Sequence, residues 1–235
     1  MEKRTYDKHP APPGLEMTNE IVKRYTLLIA SLFVNAFGIA CITKASLGTS
    51  PISSIPYVLS LFTTPSFGFH TFVLNMFFIV AEILLMGAAA VRRNYPELLV
   101  QIPILLIFSV SIDIGMYLLG NWTPSTYPQK FGTLLTGCLI LAAGIGWAVK
   151  ADVAMNPGEY VVNVIARRTG KPFGTVKLRF DVTLMLLAGM LSLCFMRGVH
   201  GLREGTIVAA LCVGPIERMI APAWKIFDRW LRPAH

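Results

Sequence analysis

Two short stretches of this chain place hydrogen-bonding side chains at the start of a helix. One is Thr49-Ser50-Pro51-Ile52-Ser53-Ser54. The other is Asn156-Pro157-Gly158-Glu159, with Asn163 one turn further on. Proline suits the first helical position, and Ser50 and Asn156 are good N-caps. A helix start presents free N–H groups and partial positive charge, which suits a small anionic or zwitterionic solute. Ser50, Ser53, Ser54, Asn156 and Asn163 can exchange hydrogen bonds with it. Glu159 can take an ammonium group or a proton. The competing reading is local: Ser50 and Asn156 cap their own helices, and Glu159, three residues after Asn156, closes a capping box.

A second set of polar residues lies inside apolar runs. Asn75, Glu82 and Asp181 sit several residues into long hydrophobic segments. Ionisable groups at membrane depth are costly and tend to be functional. Asp181 has Lys177 four residues before it, on the same helix face, so a structural ion pair and a proton-coupling site are equally open. Asp113 lies nearer a segment end and reads as an interfacial anchor. Glu217 and Arg218 pair or snorkel. His70 and His200 are at segment edges and read as interfacial side chains rather than metal ligands. Cys41, Cys138, Cys194 and Cys212 are in apolar runs without a CxxC spacing and read as small buried residues. The chemistry on offer is binding. No P-loop, HExxH or GxSxG motif is present, so neither an ATPase nor a hydrolase is implied, and no cofactor or metal is expected.

The elements that hold these residues belong to a membrane. Of the 235 residues 54% are hydrophobic and 14% charged, against about 25% charged in soluble domains. The net charge of +8 therefore marks cytoplasmic loops rather than a nucleic-acid surface. Full spans are expected at Tyr25–Thr43, His70–Val91, Leu98–Leu119, Phe131–Val149, Thr175–Met196 and Gly205–Pro222, with a turn at Arg92–Pro96. The helix from Pro51 can run only to Phe62 before Thr63-Thr64-Pro65. Its length of about 18 Å falls short of the ~30 Å hydrocarbon core. It reads as a half-helix, as does the segment from Pro157 to Arg168.

Both half-helices belong to a repeat. Lys44 pairs with Lys150, Ala45 with Ala151, Pro51 with Pro157, Phe67-Gly68 with Phe173-Gly174, and Asn75 with Asp181. Upstream, Gly38-Ile39 pairs with Gly144-Ile145. Every pair is 106 residues apart, and the register holds from Leu28 to Leu85 without a gap. Shared Lys, Pro and Phe-Gly at one offset indicate duplication. Charge then orients the copies. The region Lys44–His70 holds Lys44 as its one cation. Its mate, Lys150–Val176, holds Lys150, Arg167, Arg168 and Lys171. That asymmetry fits one hairpin outside and the other in the cytoplasm. The favoured expectation is an all-α polytopic membrane protein of two tandem inverted repeats, each with three spans and one short re-entrant half-helix; the alternative, in which the short helices cross, gives four spans per copy and parallel copies. The chain divides into a cytoplasmic tail (1–24), a first membrane repeat (25–120), an external loop (121–130), a second membrane repeat (131–223) and a cytoplasmic tail (224–235).

The runs ASLGTSPISSIPYVLSL, SFGFHTFVLN and VQIPILLIFSVSIDIGMYL, with Gly205-Thr206 and Gly214-Pro215 in the last span, resemble the YczE/YitT-type family of small bacterial inner-membrane proteins. The resemblance covers roughly residues 25–222. It implies an integral membrane protein of the bacterial inner membrane and carries over no substrate and no catalytic residue. The sequence thus points to a non-enzymatic transporter, uniport or ion-coupled, of a small polar solute. Its partners are that solute and the lipid bilayer, with a homo-oligomer left open. The rival is a non-transporting membrane partner or assembly factor of another complex.

Overall fold

The computed structural model describes residues 15–153 and 156–231. Among them the chain is all helical, and six helices are long and apolar enough to cross a membrane. Helix α1 (Leu15–Lys44) reaches back beyond the expected start at Tyr25, and residues 1–14 of the tail lie outside the described part. A 3-10 turn at Pro51–Ser53 leads into α2 (Ser54–Phe62), the first short helix. Ser66 then caps α3 (Phe67–Met86) by accepting from the Phe69 N–H. Helix α3 thus begins three residues ahead of His70.

The connection to α4 (Ala88–Leu118) corrects the sequence reading. The chain turns at Gly87, whose φ of 81° favours glycine, and not at Arg92–Pro96, which lies inside α4. The alanines at 88–90 are strong helix formers and restart the helix immediately. Helix α5 (Tyr127–Ala151) also starts earlier than expected, because Thr126 and Gln129 close a capping box. The second short helix, α6 (Pro157–Thr169), ends on Gly170 in the left-handed region. Helices α7 (Phe173–Met196) and α8 (Glu204–Ile220) follow. The expected polar tail after Trp224 instead contains α9 (Lys225–Leu231), and Leu231 packs with Leu27, Leu28 and Ala151. Trp224 stacks edge-on against Trp147, their centroids 5.9 Å apart, and residues 232–235 lie outside the described part.

Helices α1 and α5 form the centre. A Cβ on Gly38 would lie 2.6 Å from the Leu141 backbone nitrogen, one on Gly144 2.8 Å from the Asn35 nitrogen, and one on Gly137 2.8 Å from the Ile42 nitrogen. As numbers rise along α1 they fall along α5, so the two helices run antiparallel. Within lipid, where burial of apolar surface drives little, backbone approach of this kind supplies van der Waals contact. Ala36, Ile39, Ile42, Leu134, Cys138 and Leu141 fill the surrounding core.

The outer helices repeat one pattern and break it once. Helix α4 packs on α1, and α8 on α5. Helix α2 packs on α7, and α6 on α3, so each short helix lies against the other half of the chain. Helices α3 and α4 pack closely, whereas α7 and α8 do not. Gly68 shows the difference at one position. A Cβ there would meet the Ser109 carbonyl at 2.2 Å, whereas one on its repeat mate Gly174 would meet nothing within 4 Å.

Candidate functional site at the two short-helix starts

The first start is held by the last long helix. Gly48, at φ 117°, lets the chain pass so close to Thr206 that a Cβ would lie 2.2 Å from its Oγ1. The Gly205 N–H donates to the Leu47 carbonyl at 2.8 Å, and the Thr49 N–H donates to Thr206 Oγ1 at 3.2 Å. Thr49 Oγ1 also bonds Thr43 Oγ1 at 2.8 Å. Thr49 and Thr206 are fully buried. An unpaired backbone N–H in such a place would cost about 1–3 kcal/mol. Thr206 therefore positions the helix start, a role that the sequence reading missed. Its signal was the Gly205-Thr206 pair, which single-chain reasoning cannot connect to a loop far upstream.

The serines turn inward. Ser50 Oγ donates to Ser53 Oγ at 2.8 Å and does not cap the helix. Ser54 Oγ donates to the Pro51 carbonyl at 2.6 Å. All three serines are buried. The bonds from Ser50 and Ser54 both stay within the turn that opens α2.

At the second start Asn156 does cap, with Oδ1 accepting from the Gly158 N–H at 3.1 Å. Glu159 does not reach back to close a box, so among the described residues its carboxylate is left to other work. Glu159 and Asn163 are half-buried and Asn156 is exposed.

The two starts meet. A Cβ on Gly158 would lie 2.6 Å from Ile52 Cδ1 and 3.3 Å from the Phe78 ring. Ile52 and Gly158 are the same position of the two copies, 106 residues apart. Phe78 also packs against Phe180, with centroids 5.5 Å apart. Helices α3, α6 and α7 and the start of α2 therefore join at one place. Asp181 pairs with Lys177 at 2.8 Å. Lys177, Asp181 and Glu217 are all within electrostatic reach of Glu159.

The copies differ in charge at this junction. Glu159, Lys177 and Asp181 stand where the first copy has Ser53, Thr71 and Asn75. Those three are buried and neutral. Thr71 Oγ1 donates to the Phe67 carbonyl at 2.9 Å and Asn75 Nδ2 to the Thr71 carbonyl at 2.8 Å. Asn75 Oδ1 has no partner among the described residues.

Other flagged residues are placed elsewhere. Glu82 is buried on the α3–α4 seam and accepts from Gln101 Nε2 at 3.4 Å. Asp113 is more than an interfacial anchor. Its Oδ2 accepts from Ser66 Oγ at 2.6 Å and its Oδ1 from the Gly68 N–H at 2.8 Å, so α4 caps the start of α3. His70 bonds the Ser66 carbonyl and Thr63 Oγ1 through its two ring nitrogens. Among the described residues no three His, Cys, Asp or Glu side chains are grouped to hold a metal ion.

Comparison with known proteins gives a family and no activity. The model of a family of unknown function, DUF6198, matches residues 22–222. The uncharacterized membrane protein YczE of Bacillus subtilis (strain 168) is 28% identical over 209 residues, covering 88% of this chain and 89% of that protein. No solved structure matches.

Proposed function

The chain belongs to DUF6198, a YczE-type family of membrane proteins without an assigned activity, and from its geometry we propose that it is a transporter. It moves a small polar solute across the bacterial inner membrane, as a uniporter or coupled to an ion. The observation that carries this reading is the contact between Ile52 and Gly158. Two short helices, one from each copy, begin against one another inside a bundle of six candidate spans. Paired broken helices meeting at a repeat interface are the arrangement in which secondary transporters bind their solutes.

The same reading takes the copies as inverted and the short helices as re-entrant. The antiparallel run of α1 against α5 supports inversion, since these are the first spans of the two copies. The length of the short helices supports re-entry, because a nine-residue α2 covers about 14 Å. Both termini and the Arg92–Asn94 segment then face the cytoplasm, and the loop before α5 faces outside. Separation of α7 from α8, while α3 and α4 stay closed, fits a transporter open towards one side.

The test is uptake by purified protein in proteoliposomes, screened against pooled radiolabelled amines, organic acids, amino acids and sugars. Accumulation above empty liposomes, abolished by filling the junction with Gly158→Phe, is the expected result. Equal counts in protein-containing and empty liposomes across all pools would sink the reading.

A further inference from the structure

We propose that the groove at the turn between α3 and α4 binds an anionic phospholipid, with an acyl chain against Ile83, Leu84 and Val91 and the phosphate on Arg92 and Tyr95. This site is separate from the short-helix junction and does not rest on the transport reading.

The groove follows from one glycine. Gly87, at φ 81°, folds the chain back so sharply that α4 starts one residue after α3 ends. It also leaves its side of the turn unfilled, since a Cβ there would meet nothing within 4 Å. The result is an open groove of about 540 Å³, lined by Ile83, Leu84, Gly87, Val91, Arg92 and Tyr95.

Depth places it at the edge of the bilayer. Helix α3 has 20 residues and covers about 30 Å, the thickness of the hydrocarbon core. Its last turn and the first turns of α4 therefore lie where acyl chains give way to headgroups, the level at which tyrosine is enriched. Leu84 is 76% exposed, and Val80 and Phe77, exposed as well, continue the same face of α3 towards the membrane interior. An acyl chain in the groove follows that row.

The rim supplies the headgroup chemistry. Arg92 is exposed and makes no hydrogen bond or ion pair among the described residues. No carboxylate lines the groove with it, so its charge is unopposed there. Tyr95 is exposed one turn further along α4. A guanidinium holds a phosphate through two parallel N–H bonds, and the phenol adds an O–H donor. A zwitterionic lipid brings its own cation to this rim, whereas an anionic lipid does not, so the anionic lipid is favoured.

The groove is also tied to the second short helix. Arg168, at the far end of α6 from the junction, donates to the Leu85 carbonyl, on the same turn of α3 as Ile83 and Leu84. A bound lipid therefore steadies the turn to which α6 is anchored.

Thermal-shift and native mass-spectrometric titrations of the purified full chain in detergent test this. The probes are dioleoyl phosphatidylglycerol, dioleoyl phosphatidylcholine and inorganic phosphate. Phosphatidylglycerol should bind more tightly than phosphatidylcholine and raise the melting temperature further. Arg92→Gln should weaken phosphatidylglycerol binding roughly tenfold or more and abolish the preference. Leu84→Ser, at an exposed position, should weaken both lipids. Arg179→Gln, which removes an exposed arginine of α7 outside the groove, should change neither. Should Arg92→Gln fail to fold, Arg92→Lys against Arg179→Lys gives the same comparison, since lysine loses the paired N–H bonds. Equal affinity for the two lipids, equal losses at Arg92 and Arg179, or stabilisation by inorganic phosphate as large as that by phosphatidylglycerol would overturn the proposal.

Discussion

Ile52 and Gly158 occupy the same position of two tandem copies, and the side chain of one fills the space that glycine leaves at the other. If the copies are inverted as proposed, a contact between a residue and its own duplicate falls on the axis that relates them. Any change there acts on both short helices together.

Gly158→Ala should therefore destabilise the protein by about 1–3 kcal/mol through overpacking against Ile52 and Phe78. Ile52→Ala in the same chain should recover much of that loss. A double-mutant cycle read by thermal melting in detergent would give a coupling of roughly 0.5–3 kcal/mol. Strict additivity would show that the two starts do not touch.

Thr206→Val keeps the shape of the side chain and removes the acceptor for the Thr49 N–H. A loss of about 1–3 kcal/mol is expected, with Thr206→Ser close to wild type. Equal stability of the Val and Ser variants would contradict the bond.

Asp113→Ala removes both acceptors that cap α3. It should lower stability by about 1–3 kcal/mol, whereas Asp113→Asn retains an oxygen for the Gly68 N–H and should cost less. Amide exchange in the first turn of α3 should accelerate in the Ala variant before the rest of the chain is affected. Uniform acceleration along the chain would argue against a local cap.

Membrane orientation can be read by labelling. Cysteines placed singly at Asn94 and Ser125, in a background lacking Cys41, Cys138, Cys194 and Cys212, should react from opposite sides of the membrane. Reaction of both from one side is incompatible with inverted copies.

The parts of this architecture written in local pattern were legible in the sequence. The Pro51 and Pro157 helix starts, the apolar spans and the shared register all follow from neighbouring residues. What was not legible depends on partners distant in sequence. Asp113 looked like an interfacial anchor because the Gly68 N–H that it caps is supplied by another helix. Ser50 looked like a cap until Ser53 took its hydroxyl. The turn at Gly87 was hidden by a competing signal, since Arg92-Arg93-Asn94-Tyr95-Pro96 has the composition of a loop yet continues α4. Pro96 supplies no N–H to the Arg92 carbonyl, yet α4 runs on through it. The docked α9 was obscured by the polar residues that flank Trp224, Phe227 and Leu231.

The bond from Gly205 to Leu47 also sets an order of events during synthesis. Leu47 leaves the ribosome long before its partner exists. At about 5–20 residues per second the wait is on the order of ten seconds. Through that interval the entry to α2 lacks both the Thr206 hydroxyl and the α8 backbone that hold it. The first short helix is made early but can be locked in place only after the last span has entered the membrane.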